Sequence, residues 1–107
     1  MGREGFPVHR NRDPRSWRIY PYLVDVQSPA VDGLATRVVI PLSGASGAAR
    51  FPLRYLMPAV TLDNRHYVAV TPQLTATECQ ALGPRVGTLS KESRDVESAI
   101  EILLYGF

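Results

Sequence analysis

The sequence predicts a mainly β fold with one C-terminal α-helix, either a small β-barrel or an α+β domain. Short segments rich in Val, Leu, Ile, Thr and Tyr recur along the chain, and turns that contain Pro, Gly or Asp separate them. This pattern is typical of short antiparallel strands. The final segment instead spaces its apolar residues as an amphipathic helix does. Because the chain has 107 residues, we expect a single domain that spans residues 1–107.

The first half of the chain contains three predicted strands. Residues 6–9 favour a short edge strand, since Pro7 has no N–H to donate and is tolerated only at a strand start or an edge. Residues 17–27 are rich in aromatic and β-branched residues, so we predict one strand there, with an edge position or a bulge at its internal proline. Residues 36–42 contain a Val-Val-Ile run that suits burial on both faces. The Gly- and Ala-rich residues 43–49 are predicted as a loop or one turn of weak helix.

The second half contains a predicted hairpin and one ambiguous segment. Residues 53–62 and 66–71 have strand character on either side of the turn at Asp63-Asn64. Residues 75–82 fit a short strand and a short helix about equally well. Their composition is compatible with a helix, but the prolines that flank them leave only a short window.

The last segment predicts an amphipathic helix that begins after Ser90 and ends at Gly106. Ser90 is a good N-cap, and Glu92 places a negative charge in the first turn, where the helix dipole favours one. Gly106 suits a C-cap. Five apolar residues follow the i, i+3, i+4, i+7, i+8 spacing of one helix face. They are Val96, Ala99, Ile100, Leu103 and Leu104.

Composition excludes several classes of protein. Hydrophobic residues make up 45% of the chain and charged residues 21%, an ordinary globular composition. No apolar stretch is long enough to span a membrane, and the Arg-rich N-terminal segment lacks the apolar core of a secretory signal. The single cysteine, Cys79, cannot form an intramolecular disulfide, so we expect a cytoplasmic protein. A chain this small buries a modest core, which favours a homodimer.

The sequence contains no recognisable catalytic or cofactor-binding motif. It lacks a phosphate-binding P-loop, a dinucleotide fingerprint and a Cys-x-x-Cys pair, and His9 and His66 lack metal-ligand spacing. We therefore predict no catalytic residues, no metal site and no cofactor. The formal net charge is +2, and basic residues are densest from Arg10 to Arg18. We interpret this cluster as a solvated loop rather than a nucleic-acid-binding stripe.

Three stretches carry a specific likeness. Residues 20–28 read YPYLVDVQS, residues 36–42 read TRVVIPL, and the C-terminal helix ends in LYGF. In order and spacing they closely resemble the CcdB family of toxins from plasmid and chromosomal toxin–antitoxin modules. The resemblance runs from Phe6 to the last residue, and residues 44–54 match poorly. It implies an SH3-like barrel of the CcdB/MazF toxin type with a C-terminal helix, assembled as a homodimer.

The function that the resemblance implies is poisoning of DNA gyrase without catalysis by the toxin itself. Family members bind the dimerisation region of the gyrase A subunit and trap the cleaved DNA complex, so replication stalls. A cognate CcdA-type antitoxin neutralises the toxin with a disordered segment, and the two together repress their operon. The resemblance therefore implies contact with operator DNA only through the antitoxin complex, and no membrane partner.

The resemblance also implies which residues contact each partner. The family's gyrase-contacting positions correspond here to Tyr105, Gly106, Phe107, Glu101, Leu104, Ala30 and Val31. Gly106 matches outright, whereas Glu101 places a charge where the well-studied plasmid toxin has an asparagine. The loop around residues 10–18 corresponds to a family loop involved in antitoxin recognition. Its arginines suit an acidic antitoxin segment, and the residues that we expect to contact it are Arg10, Arg12 and Arg15.

Alternatives remain open for both the function and the helix end. The related MazF-type toxins share the barrel but cleave RNA, so the fold alone does not fix the mechanism. A non-toxic chromosomal homologue that acts as a regulator is a further alternative. From the residues alone, residues 104–107 are interpreted as a helix terminus folded onto its own core, whereas the resemblance favours an exposed tip.

Overall fold

A computed structural model describes residues 4–44 and 53–107 of the chain. Seven strands among these residues form one antiparallel sheet, and a single α-helix follows it. The elements are β1 (Phe6–Asn11), β2 (Tyr22–Asp25), β3 (Thr36–Gly44), β4 (Ala59–Leu62), β5 (Arg65–Ala69), β6 (Thr75–Glu78), β7 (Leu82–Leu89) and α1 (Ser93–Tyr105). This mainly β architecture with a C-terminal helix confirms the predicted fold class.

The seven strands form a sheet that curls into a half-barrel. Their order is β4-β5-β3-β2-β1-β7, and β3 pairs with β2 on one side and with both β6 and β5 on the other. The two outer strands approach each other, because a Cβ added at Gly87 of β7 would lie 2.6 Å from Leu62 Cδ1 of β4. Glycine at position 87 therefore leaves room for the leucine where the sheet curls back on itself.

The core lies inside this curl. Val8, Val24 and Ile40 face one another across β1, β2 and β3, and all three side chains are fully buried. Val96 and Ala99 of α1 are also buried, and Val96 joins the same cluster. The first turns of the helix thus cover the core.

The long strand predicted for residues 17–27 is wrong in its first half, because only Tyr22–Asp25 is a strand. The side chain of Asn11 organises the preceding segment into turns. Its Nδ2 donates to Ser16 Oγ at 3.0 Å and to the Tyr20 carbonyl at 2.8 Å, and its Oδ1 accepts from Asp13 N at 2.9 Å. A polar side chain that bonds the backbone in this way competes with strand pairing. The aromatic composition of the segment gave no sign of it.

The expected edge position of residues 6–9 is also wrong. β1 pairs with β2 on one side and with β7 on the other. The strand β7 was not predicted, because the glycines and the proline within Leu82–Leu89 are typical of a loop. The ladder between β1 and β7 has two register shifts, which adapt it to these residues.

The second half of the chain agrees better with the sequence. The hairpin at Asp63-Asn64 is confirmed, and both residues have a positive φ of 54° and 63°, as tight hairpin turns require. Its first arm is shorter than predicted, since only Ala59–Leu62 is a strand. The ambiguous segment forms the strand β6 and then a 3-10 helix at Cys79–Ala81. The predicted loop at residues 43–49 begins within β3, and residues 45–49 lie outside the described residues.

The helix begins three residues after the predicted N-cap, Ser90. Glu92, not Ser90, is the N-cap residue, and α1 starts at Ser93. The Glu92 carboxylate does not cap its own helix. Instead its Oε2 accepts a 2.7 Å hydrogen bond from the backbone N–H of Thr61 in β4. This bond to the sheet fixes where the helix starts.

Candidate partner-binding surfaces

The last turn of α1 and the residues after it form an exposed apolar surface. Leu104, Tyr105 and Phe107 are exposed, the last of them at 84% of its surface. The predicted apolar face therefore divides into a buried part near the start of the helix and an exposed part near its end. The folded-back interpretation of residues 104–107 is wrong, because all four residues are exposed to solvent. We call Leu104 to Phe107 the helix-end surface.

Gly106 shapes this surface as the predicted C-cap. Its φ of 83° is left-handed, and its N–H donates to the Ile102 carbonyl at 2.9 Å. The turn brings the rings of Tyr105 and Phe107 to a centroid distance of 6.4 Å with a tilt of 36°. A Cβ built at Gly106 would meet nothing within 4 Å, so the space beside it is open. Glu101 is exposed one turn earlier on the side of Tyr105.

Ala30 and Val31 lie on a separate turn between β2 and β3. They belong to the 3-10 helix Pro29–Val31, in which no residue is buried. Ser28 Oγ accepts from Ala30 N at 3.2 Å, and Gln27 Nε2 donates to the Val31 carbonyl at 2.9 Å. The structure thus gathers Tyr105, Gly106 and Phe107 into one tip, while Ala30 and Val31 are held by the strands at the base of their own turn.

A largely buried ion pair lies at the base of this turn. It was not among the predicted features of the sequence. Arg37 Nη2 lies 2.6 Å from Asp25 Oδ2, and Arg37 Nη1 lies 3.1 Å from Asp32 Oδ1. Burial opposes the charge of Arg37, but the hydrogen bonds to the two carboxylates outweigh it, so the pKa of the guanidinium is raised. The signal was present as opposite charges in VDVQS and TRVVIPL, two segments that pair as β2 and β3.

The predicted antitoxin residues Arg10 and Arg12 line a groove of about 790 Å³. Arg18 and Trp17 line it as well, together with Asn11 and Pro21. The Arg18 guanidinium carbon lies 5.3 Å from the centre of the Trp17 ring. Arg10 is placed in the same way 5.7 Å from the ring of Tyr22. The groove is thus open and basic, with the Trp17 ring in its wall, and we call it the arginine groove.

Arg15 lies outside the arginine groove. It is 89% exposed, and its Nε and Nη2 bond the two carboxylate oxygens of Asp13 at 3.1 and 3.2 Å. The hydrogen bond from Arg15 is the main cause that lowers the pKa of Asp13. Arg15 therefore already has a carboxylate partner, whereas Arg18 fills the corresponding place in the groove. Trp17 was missed because its aromatic side chain was interpreted as part of a strand.

Other candidate sites were sought in the part of the chain that the structure describes. No group of three or more His, Cys, Asp or Glu side chains there could hold a metal ion. No helix among those residues is long and apolar enough to cross a membrane. Cys79 is exposed, and its thiol lies 3.7 Å from the Leu34 carbonyl. The helix-end surface, the Pro29–Val31 turn and the arginine groove are thus the surfaces that suit a macromolecular partner.

Comparison with known families gives a match over most of the chain. A family model described as CcdB protein matches residues 5–106, which is essentially the whole chain. The match includes the β2–β3 pair, the arginine groove and nearly all of the helix-end surface. On this match the chain belongs to the CcdB family, the toxins of toxin–antitoxin modules.

Proposed function

We propose that this toxin binds the gyrase A subunit through its helix-end surface and traps the cleaved gyrase–DNA complex. The observation that carries the proposal is the exposed tip formed by Tyr105, Gly106 and Phe107. Two adjacent aromatic rings in solvent are typical of interface residues that contribute much of the binding energy. The open space at Gly106 lets the backbone of a partner approach closely.

The Pro29–Val31 turn provides a second, smaller contact in this proposal. Ala30 and Val31 are exposed and apolar. Covering apolar surface with a partner removes it from water, which favours binding. The acting form is a homodimer, in which the two tips lie near the twofold axis and meet a twofold-symmetric target. The toxin acts by binding and is not itself an enzyme.

Removing residues 105–107 tests the helix-end surface. We expect the truncated toxin to lose growth inhibition and gyrase trapping, because the aromatic contacts are gone. It should stay a folded dimer by size exclusion and circular dichroism, since the core cluster ends with α1 residues that remain. A truncated protein that still kills would overturn the proposal.

The assay also separates the alternatives. Full-length toxin is expressed in cells with wild-type gyrase and in cells with a substitution in the gyrase A dimerisation region, and purified toxin is tested for gyrase-mediated DNA cleavage and for RNA cleavage. Protection by the gyrase substitution supports the proposal. RNA cleavage with unchanged killing would favour the MazF-like ribonuclease instead, and an absence of killing in both strains would favour the non-toxic regulator.

Glu101 adjusts affinity in this proposal. An interface that covers this exposed carboxylate must remove its water shell. The free-energy cost of removing water from a neutral amide is smaller than that for a charged carboxylate. We expect Glu101→Asn to raise the affinity for the gyrase A subunit by about threefold to tenfold, a difference on the order of 1 kcal/mol. Calorimetric titration measures it. An unchanged or weaker affinity would place Glu101 outside the contact.

The arginine groove is the antitoxin-binding surface in this proposal. An acidic, disordered antitoxin segment lies along Arg10, Arg12 and Arg18, and operator DNA is reached only through the resulting complex. We expect the double variant Arg10→Glu/Arg18→Glu to weaken binding of the antitoxin segment at low salt by about tenfold or more. Arg15→Glu is the control, because Asp13 already pairs with Arg15. Equal losses in both variants would remove the groove from the site.

A further inference from the structure

An ion pair between Asp25 of β2 and Arg37 of β3 lies at the base of the β2–β3 connection, where it is largely shielded from solvent. The Asp25 side chain is 7% exposed and the Arg37 side chain 14% exposed. Both Nε and Nη2 of Arg37 donate to the same oxygen, Asp25 Oδ2, at 3.1 and 2.6 Å. The other oxygen, Oδ1, accepts the backbone N–H of Gln27 at 3.0 Å. The carboxylate is thus fully engaged in bonds that join β2, β3 and the start of the turn.

The same guanidinium reaches the far end of the turn. Arg37 Nη1 donates to Asp32 Oδ1 at 3.1 Å and lies 3.4 Å from the Asp32 carbonyl. Gln27 reaches the last residue of the turn, since its Nε2 donates to the Val31 carbonyl at 2.9 Å while its Oε1 accepts from Val38 N at 2.9 Å. Bonds from Arg37 and Gln27 therefore hold the C-terminal end of the Pro29–Val31 turn, and Ser28 Oγ accepts from Ala30 N at its start.

The turn cannot hold this shape by itself. A 3-10 helix of three residues is too short to be stable in water, and none of its residues is buried in the core. The network supplies the order that packing does not. Arginine suits this role, because its planar guanidinium presents N–H donors to two carboxylates at once. The ammonium of lysine is a compact point charge without this fixed fork of donors.

We propose that Arg37 is a positioning residue for target binding, which fixes the Pro29–Val31 turn through Asp25 and Asp32 so that Ala30 and Val31 are presented in one conformation. This inference rests on the proposed function, in which that turn contacts the gyrase A subunit. An exposed contact that is ordered before binding loses less conformational entropy when the complex forms. Ordering the turn in the free protein therefore raises its affinity for the target.

The test compares Arg37→Gln, Arg37→Lys and Asp32→Asn in the full-length dimer. Arg15→Gln is the matched control, since it removes the same charge from an exposed ion pair. For each protein, binding assays give the affinity for the intact gyrase A subunit and the affinity for a synthetic antitoxin segment. Amide hydrogen exchange is measured at Val31 and Asp32, whose N–H groups are bonded within the turn.

We expect Arg37→Gln to weaken gyrase binding by about tenfold and to speed exchange at both amides by a similar factor. Arg37→Lys should recover part of the loss, and Asp32→Asn should lose about threefold, because the Asp25 pair remains. Antitoxin binding should change less than about twofold in every variant. A role in folding alone would lower both affinities together and would not produce this selectivity.

Two results overturn the inference. One is unchanged exchange at Val31 and Asp32 in Arg37→Gln, and the other is equal weakening of gyrase and antitoxin binding. If Arg37→Gln does not fold, Asp32→Asn decides, because the Asp32 side chain is 62% exposed and the buried pair is untouched.

The variant Val31→Asp separates this inference from the proposed function. If Val31→Asp loses gyrase binding and the Arg37 variants do not, the positioning role fails and the contact stands. If Val31→Asp binds gyrase normally, the turn is not a contact and the positioning role has no effect on binding. Truncation of residues 105–107 tests the rest of the proposed function independently.

Discussion

The two ends of α1 have the same apolar spacing but opposite surroundings. At the start of the helix, Val96 is buried in the core, and Glu92 ties the first turn to Thr61 of β4. At the end, Leu104 and Tyr105 continue the helix into solvent. The first part of the helix holds the fold together, and the second part uses that rigid support to present an apolar tip. Helical periodicity alone does not distinguish these two roles.

The largest expected difference between the two ends is in packing. Val96→Ala should lower the free energy of unfolding by about 2 kcal/mol, since it removes two buried methyl groups and leaves a cavity. Leu104→Ala should lower it by less than about 0.5 kcal/mol, because its side chain already faces water. Urea unfolding at one fixed protein concentration measures both. Similar losses for the two variants would contradict the division of the helix.

The bond between the helix start and the sheet has the next largest expected effect. Glu92→Ala leaves the Thr61 N–H without its acceptor, which should lower the free energy of unfolding by about 1–2 kcal/mol. Glu92→Gln keeps an oxygen in place and should recover at least half of the loss. Urea unfolding gives the stabilities, and amide exchange at Thr61 reports the bond directly. Slow exchange at Thr61 in Glu92→Ala would show that the carboxylate does not hold this strand.

The smallest expected effect on stability lies at the other end. Gly106→Ala should lower the free energy of unfolding by about 1 kcal/mol or less, because its φ of 83° strains an alanine but the space around it is open. The last turn can unwind to relieve that strain. Gyrase trapping should fall much more than stability does, since the geometry of the Tyr105 and Phe107 rings changes. A variant with normal trapping would show that the left-handed cap is not needed for the tip.

The sequence predictions succeed where neighbouring residues determine the structure, and they fail where residues distant in sequence determine it. The C-cap at Gly106 and the hairpin at Asp63-Asn64 are set by residues next to each other in the chain, and both are confirmed. The strand at Leu82–Leu89 was missed, since its glycines and proline favour a loop and only pairing with β1 makes it a strand. The segment after Asn11 failed for a related reason, because one side chain bonds residues up to nine positions away.

The candidate surfaces show the same dependence. The resemblance indicated the residues of the helix-end surface, but their exposure depends on which part of the helix packs against the core. The arginine cluster was visible in the sequence, yet only the fold separates Arg18, which lies in the groove, from Arg15, which is paired with Asp13. The ion pair between Asp25 and Arg37 likewise needed the register of β2 and β3 to be recognised.

By itself the sequence determined the mainly β class, the helix with its glycine cap, the tight hairpin and the family likeness. These depend on backbone preferences and on side chains a few residues apart, which act in the same way in any surroundings. The tertiary structure decided which apolar residues are covered, which charges meet and which weak segment becomes a strand. Those outcomes depend on partners distant in sequence, and only the curled sheet brings them within contact distance.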